Sequence, residues 1–345
     1  MYTKKIIFGI SLLTATACYK VEPIDVIAPQ REIDTQTLTQ YKSNLQNRNI
    51  TMGMMYNWTN EVGSFLMNVP DSLDVVVLKD NYNNISEVQK NDLQAVQQKK
   101  ATKVLVGLNY AAISKEYETQ KEKQLAEKQK EIEANTNLSS AERAQELNKA
   151  TLEIIATLST AAKENITKQA ENILQIAKNN GFDGISIEFP LILNDPFSEE
   201  NFNTMLSQVV NNKGNLLLVI ENPYGDRTSS TEKQPIDAAN WMLYYKKNNE
   251  LYKSFTDLAA KFPNNNFLSS TDFSEETLQD GFSDSKNFNP DGKNGKYPRT
   301  IGTIYWTASN KKGVALYHIE KDYFNFSGKY PYKNLRSIIH KLQSK

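Results

Sequence analysis

Carboxylate, amide and aromatic side chains recur along this sequence where short apolar runs end. Paired carboxylates can transfer protons, amides hydrogen-bond hydroxyl and acetamido groups, and aromatic rings pack on the C–H faces of sugar rings. The combination predicts a site for mostly neutral sugars. The candidate binding residues are Tyr56, Trp58, Asp80, Asn109, Tyr110, Glu188, Glu221, Asn222, Tyr244, Asp272, Trp306 and His318.

Short β-branched and aliphatic runs alternate with helical patterns, which indicates repeated βα units around a parallel sheet. The eight predicted strands cover residues 50–56, 73–78, 103–108, 184–189, 215–220, 240–245, 267–271 and 314–319. Eight units predict an α/β fold, a (β/α)8 TIM barrel, with function at the carboxyl ends of its strands. An open doubly wound sheet is the alternative, but its G-x-G-x-x-G motif follows none of the strands. A further strand-like stretch, 301–306, is interpreted as a loop hairpin.

A long helical insertion, 114–180, is predicted between the third and fourth strands. Residues 115–133 are nearly all Lys, Glu and Gln, which is typical of a solvated helix. Ser139 and Glu142 have the spacing of a capping box that opens a second helix, and Gly181 ends it. The hairpin suits a structural or partner-docking role at least as well as ligand binding.

Composition excludes several classes of function. The 40 Lys and Arg residues balance 40 Asp and Glu residues, so a basic nucleic-acid-binding protein is not predicted. The two histidines, His318 and His340, are far apart and lack cysteine partners, so no metal site is predicted. The sequence also contains no phosphate-binding loop, and we expect no cofactor.

The N-terminus has the pattern of an export signal at residues 1–17. Lys4 and Lys5 precede the apolar run 6–13, and small residues then lead to Cys18, the sole cysteine. A cysteine at this point resembles the lipobox of bacterial lipoproteins, which implies acylation of Cys18 and a membrane anchor. Residues 18–44 are predicted to form a tether, and residues 45–345 the barrel domain.

The predicted fourth strand carries the most informative motif. Its residues resemble the D-G-x-D-x-D-x-E signature of family 18 glycoside hydrolases, with Asp183 and Gly184 in place. Ser186 and Glu188 replace the second and third aspartates, and Pro190 occupies the position of the catalytic glutamate. In that family the glutamate is the general acid and base, and the substrate acetamido group is the nucleophile. Proline has no proton to donate, so the resemblance implies a catalytically degenerate member.

Two other regions are similar to the same family. Met242 and Tyr244 match its M-x-Y motif and are expected to face the barrel interior. The C-terminal pattern resembles a branch found as surface lipoproteins in Sus-type glycan-uptake loci. It comprises Asp291-Gly292, Tyr297-Pro298, Trp306, residues 313–323 and residues 332–339.

This branch includes endo-β-N-acetylglucosaminidases that act on N-linked glycans, and it implies a cell-surface location at the outer membrane. The resemblance therefore implies a lipid-anchored barrel that captures GlcNAc-containing glycans or glycoproteins for a companion glycosidase or an outer-membrane importer. An active endo-β-N-acetylglucosaminidase using Glu221 or Glu188 as its acid is one alternative. A structural subunit of an uptake complex is another.

Overall fold

A computed structural model describes residues 32–61, 63–189, 196–222, 235–245, 251–274, 299–323 and 330–344. Eight parallel strands within these ranges close into a barrel in chain order, with β8 paired to β1. This confirms the predicted (β/α)8 TIM barrel. The strands are β1 Ile50–Met55, β2 Val75–Leu78, β3 Lys103–Asn109, β4 Gly184–Glu188, β5 Leu217–Glu221, β6 Trp241–Tyr244, β7 Phe267–Asp272 and β8 Lys311–Tyr317.

Helices surround the barrel and precede it. No helix in the described residues is both long enough and apolar enough to cross a membrane. The α-helices are α1 Thr35–Lys42, α2 Glu87–Lys100, α3 Tyr110–Ala134, α4 Ser140–Asn180, α5 Glu199–Asn212, α6 Leu251–Lys261, α7 Arg299–Tyr305 and α8 Lys333–Gln343. Short 3-10 helices span Leu45–Asn47, Leu66–Asn68, Pro235–Ala238 and Ile319–Asp322.

The alternation of side chains along each strand divides the apolar residues between two cores. One core fills the barrel interior, and the other lies between the sheet and the helices. The interior core includes Met52, Met54, Val75, Val77, Leu105, Val219, Trp241, Leu243, Leu268 and Ala315. The outer core includes Val76, Leu78, Val104, Val106, Ile185, Ile187, Leu218, Ile220, Met242 and Leu316.

The predicted helical insertion is an antiparallel pair, α3 and α4. The capping box is confirmed, because Ser139 accepts the Glu142 amide and Glu142 accepts the Ser139 amide. Gly181 ends α4 with φ 75°, as predicted. The buried stripe of α4 from Leu158 to Ala177 belongs to the outer core. The C-terminal half of α4 is therefore a barrel helix, and the projecting part is confined to its N-terminal half and α3.

The structure differs from two other predictions. Residues 299–305 form α7 instead of a strand or hairpin, and Ile304 of this helix packs into the outer core. Part of the predicted tether also belongs to the folded unit, since helix α1 packs at the amino-terminal base of the barrel. Thr35 Oγ1 donates to the Lys99 carbonyl at 3.1 Å, which fastens the start of α1 to the end of α2.

The end of α1 is fastened by a buried lysine. Lys42 Nζ donates to the Leu73 carbonyl at 2.6 Å and to Thr102 Oγ1 at 2.8 Å, directly below β2 and β3. Burial lowers the pKa of Lys42 to about 7, although nearby Asp74 acts in the opposite direction. The base of the barrel therefore holds an amine that titrates near neutral pH.

Candidate functional site

Three charged side chains meet at the carboxyl-terminal mouth of the barrel. Lys79, the first residue after β2, places Nζ 2.9 Å from Glu221 Oε1 and 3.1 Å from Glu188 Oε2. Glu188 and Glu221 are paired in register at the ends of β4 and β5. The lysine thus links two inward-facing carboxylates, and we call these three residues the mouth cluster.

Glu221 is the buried member of the mouth cluster. Its carboxylate is fully buried and also accepts hydrogen bonds from Ser186 Oγ at 2.6 Å and the Tyr317 hydroxyl at 2.5 Å. Burial alone would raise the pKa of this carboxyl, but Lys79 and the two hydroxyl donors outweigh it and lower the pKa. Glu221 is therefore ionised at neutral pH and does not fit the role of a proton donor.

Glu188 is the more accessible carboxylate, with 24% of its side chain exposed. Burial raises the pKa of Glu188, and the neighbouring Glu221 charge adds to that rise, while Lys79 opposes it. Among the carboxyls of the mouth cluster, Glu188 is the one whose environment favours the protonated form. It is also the one placed to contact a ligand.

Lys79 was missed at the sequence level. Its side chain is 2% exposed, and although burial disfavours its charge, the carboxylates of Glu221 and Glu188 raise the pKa of Lys79 above its usual range. Its aliphatic chain crosses Gly107 of β3, where an added Cβ would lie 3.1 Å from Lys79 Cδ. A lysine directly after an apolar strand, beside a strand with an inward glycine, is the signal that could have identified it.

An aromatic pair lines another part of the mouth. The rings of Tyr56 and His318 stack with centroids 3.9 Å apart and an interplanar angle of 16°. Glu320 holds both residues, since its carboxylate accepts the Tyr56 amide at 3.1 Å and lies 3.0 Å from His318 Nδ1. Both rings are half-buried, so the pair presents a fixed, partly open apolar surface.

A second set of contacts joins β5, β6 and β7. The Tyr245 hydroxyl donates to Asp272 Oδ2 at 2.7 Å, and its ring stacks on Tyr317 at 4.3 Å. Asn222, in a left-handed conformation with φ 53°, accepts the Tyr245 amide at 2.5 Å.

A further contact joins the loops that follow β1 and β2, where Asp80 accepts the Asn57 amide at 2.6 Å. Asp80, Asn222 and Asp272 therefore position backbone and aromatic groups at the mouth, which sequence reasoning did not specify.

Two aromatic binding candidates lie in the outer core and not at the barrel mouth. Trp58 is fully buried and donates from Nε1 to Asp92 at 3.0 Å. Trp306 is fully buried, and its Nε1 donates to Thr256 Oγ1 at 3.2 Å. Neither ring can reach a ligand at the mouth without unfolding its surroundings.

The other two candidate tyrosines also face away from the barrel axis. Tyr110 is fully buried and packs edge-on against Phe197 and Phe202. Tyr244 and Met242 belong to the outer core, so the expectation that they face the interior is wrong. The inward side chains of this part of the chain are Leu243, in the interior core, and Tyr245, which packs against it.

The residues of the fourth-strand motif lie at different levels of the barrel. Asp183 lies at the base, where it accepts Lys103 Nζ at 2.8 Å and the Val104 amide at 2.9 Å. Gly184 is required by packing, because an added Cβ would lie 2.4 Å from the Leu217 carbonyl oxygen. Only Ser186 and Glu188 of the described motif reach the mouth. Pro190, Cys18 and residues 291–298 lie outside the described residues, as does the side chain of Asn109.

The described residues form a (β/α)8 barrel with inward carboxylates at the ends of β4 and β5. The model of glycoside hydrolase family 18, BT1044-like, matches residues 19–213, more than half of the chain, and the chain belongs to that family. No curated protein matches the sequence. Over the described residues, no group of three or more His, Cys, Asp or Glu side chains could hold a metal ion.

Solved structures share the same fold. A selenomethionine form of BT1044 with a Glu-to-Gln substitution has a TM-score of 0.56 at 16% identity, covering 89% of this chain and 93% of that one. A chitinase from Bacteroides thetaiotaomicron has a TM-score of 0.51 at 12% identity, covering 86% and 97%. The chitinase ChiB of Flavobacterium johnsoniae gives 0.50 at 11% identity, covering 86% and 94%.

Proposed function

We propose that this family 18 barrel binds GlcNAc-containing glycans of the N-linked type without hydrolysing them. The observation that carries the proposal is Pro190, which occupies the position of the catalytic glutamate in the family motif. The mouth cluster supports it, because Glu221 is ionised and enclosed by three donors. Binding requires only complementary apolar and hydrogen-bonding groups, so it can persist where the proton donor is lost.

The cellular setting is part of the proposal. The lipobox-like sequence ending at Cys18 supports a lipid anchor, and the C-terminal resemblance supports a cell-surface position at the outer membrane. Two similar structures are chitinases, and one of them comes from a chitin utilization locus. Chitin is a polymer of GlcNAc, which agrees with a GlcNAc-containing ligand here. A captured glycan would then pass to a companion glycosidase or an importer.

The direct test measures binding and turnover on the same preparation. We expect calorimetry to detect binding of an N-linked glycan that retains its GlcNAc–GlcNAc core, and chromatography to detect no cleavage of that glycan. Cleavage between the two GlcNAc units by the purified protein would overturn the proposal that the barrel binds glycans without hydrolysing them. Absence of binding to any glycan on an array would instead favour the structural-subunit alternative, in which the α3–α4 hairpin docks on an uptake complex.

An active endo-β-N-acetylglucosaminidase is a second candidate, and one observation favours it. Glu188 is partly exposed and its pKa is raised by burial, as a general acid requires. Glu188 lies two residues before Pro190, about 6 to 7 Å along the strand from the family's acid position. Any turnover that Glu188→Gln abolishes would support this candidate, whereas turnover that survives the substitution would remove Glu188 from it.

The aromatic pair of Tyr56 and His318 gives a binding prediction. We expect His318→Asn to weaken glycan binding about tenfold, because it removes one ring of the stack while asparagine tolerates the left-handed backbone at φ 55°. The matched control is His340→Asn, since His340 is exposed on α8. Equal affinities for the two variants would show that the aromatic pair does not contact the glycan.

A further inference from the structure

A separate pocket of about 400 Å³ lies between the loops that follow β1 and β2. None of the three mouth-cluster residues lines this pocket, and of the binding candidates predicted from sequence only Trp58 does, with its ring buried. Its other lining residues are Thr59, Asn60, Asn81, Asn83, Asn84 and Gln89. We call it the amide pocket.

The walls of the amide pocket are fixed by contacts with α2. Gln89 Nε2 donates to the Trp58 carbonyl at 3.0 Å and to the Asn81 carbonyl at 3.3 Å, so one side chain ties both loops together. Trp58 is held in turn by Asp92, and Asn81 adopts φ 58°. These contacts fix the backbone of both loops at Trp58 and Asn81.

The chemistry of the pocket is neutral and rich in unused hydrogen-bonding groups. Asn81, Asn83 and Asn84 are exposed, and among the described residues their side-chain amides have no protein partner, so all three are open to a ligand. Each amide offers two donor hydrogens and a carbonyl acceptor. Asn60 Oδ1 accepts from Ser86 Oγ at 3.3 Å, which leaves the side-chain nitrogen Nδ2 to donate. No lining residue carries a charge.

This arrangement excludes several ligand classes. A bound calcium ion is usually coordinated by carboxylates, which the lining lacks. A phosphate or carboxylate ligand would find no lysine or arginine to pair with, and an apolar ligand would leave the free amides desolvated and unpaired. A compact molecule with several hydroxyl groups satisfies the amides best, because each hydroxyl can donate and accept.

We propose that the amide pocket is an accessory site for one neutral sugar residue, separate from the barrel mouth. Thr59 and Asn60 would contact the ligand from the first loop, and Asn81, Asn83 and Asn84 from the second. The pocket begins two residues after Tyr56, so a branched glycan held at the mouth has a second point of attachment nearby. Two linked sites of modest affinity give a higher combined affinity than either alone.

The test uses methyl glycosides of GlcNAc, mannose and galactose as probes for saturation-transfer NMR and calorimetry on the full mature chain. We expect at least one probe to bind, and the double variant Asn60→Ala with Asn83→Ala to weaken that binding at least about tenfold. Asn148→Ala, at an exposed position of α4, is the matched control and should bind as the parent does. Asn84→Leu is the second variant, and it should also weaken binding because it removes one amide from the pocket. Because Asn84 is exposed, this replacement should leave the fold intact.

Several outcomes would overturn the accessory site. They are no probe binding at all, equal binding by parent and double variant, or loss of binding in His318→Asn but not in the pocket variants. The last result would place the monosaccharide at the mouth and leave the main proposal intact. Conversely, probe binding that depends on Asn60 and Asn83 supports the accessory site even if the mouth binds no glycan.

Discussion

Lys79→Met is expected to destabilise the protein by about 3 to 5 kcal/mol at neutral pH, since removing one partner of a buried ion pair leaves the other charge uncompensated. The methionine fills the space of the aliphatic chain beside Gly107, so the lost volume is small. What is lost is the positive charge within 3.1 Å of both Glu188 and Glu221. Urea unfolding of parent and variant under the same conditions measures the difference.

The same variant should show a pH dependence of defined sign. Without Lys79, burial raises the folded-state pKa of the two glutamates above the unfolded value, so the folded state binds more protons as the pH falls. The loss in the free energy of unfolding is therefore largest at neutral pH and shrinks as the pH is lowered toward about 5. The double replacement of Glu188 and Glu221 by Gln in the Lys79→Met background should remove this dependence.

Lys103→Met is the matched control for the Lys79 experiment. Lys103 also pairs with a carboxylate, Asp183 at 2.8 Å, but its side chain is 43% exposed. An exposed pair contributes at most about 1 kcal/mol, so this substitution should cost far less. If Lys79→Met cost no more than Lys103→Met, or if its cost did not change with pH, the lysine would not be the counter-ion on which the mouth depends.

The barrel could be predicted from sequence because its determinants are local. Eight apolar runs, the capping box at Ser139 and the glycine at 181 each follow from short-range rules, and the structure confirms them. The direction of a side chain at a strand end is not local in this way. Whether Tyr244 or Tyr245 faces the axis depends on the register of β6 with β5 and β7, which apolar periodicity does not reveal in a strand buried on both faces.

The mouth cluster illustrates the same limit. Glu188 and Glu221 could be predicted from sequence because both are carboxylates at strand ends. The lysine that they share follows β2, where the sequence analysis names Asp80 and not Lys79. Trp58 and Trp306 are predicted to bind sugar because aromatic rings suit sugars, yet a tryptophan buried in the outer core has the same sequence signature. Only the closed barrel shows whether a side chain near a strand end lies over the barrel axis or in the outer core.

Burial also acts at the base of the barrel, where Lys42 forms no ion pair with any residue that the structure describes. Lys42 Nζ donates two hydrogen bonds, to Leu73 O and Thr102 Oγ1, and a neutral amine can make both. Burial lowers the pKa of Lys42 to about 7, whereas the pKa of a lysine in the unfolded chain is about 10.4. Between these two values the unfolded chain binds the additional proton, so the free energy of unfolding rises with pH across this window.

Lys42→Met is therefore expected to remove a pH-dependent contribution from the base of the barrel. The stability of the parent relative to the variant should increase by on the order of 4 kcal/mol between about pH 7 and about pH 10, and stay constant below that window. Lys99→Met, at an exposed position of α2, is the control and should change stability by less than about 0.5 kcal/mol at any pH. Denaturant unfolding at several pH values measures all three proteins. A parent–variant difference that stays constant with pH would show that Lys42 keeps its proton in the folded state, and that its two hydrogen bonds are those of an ammonium ion.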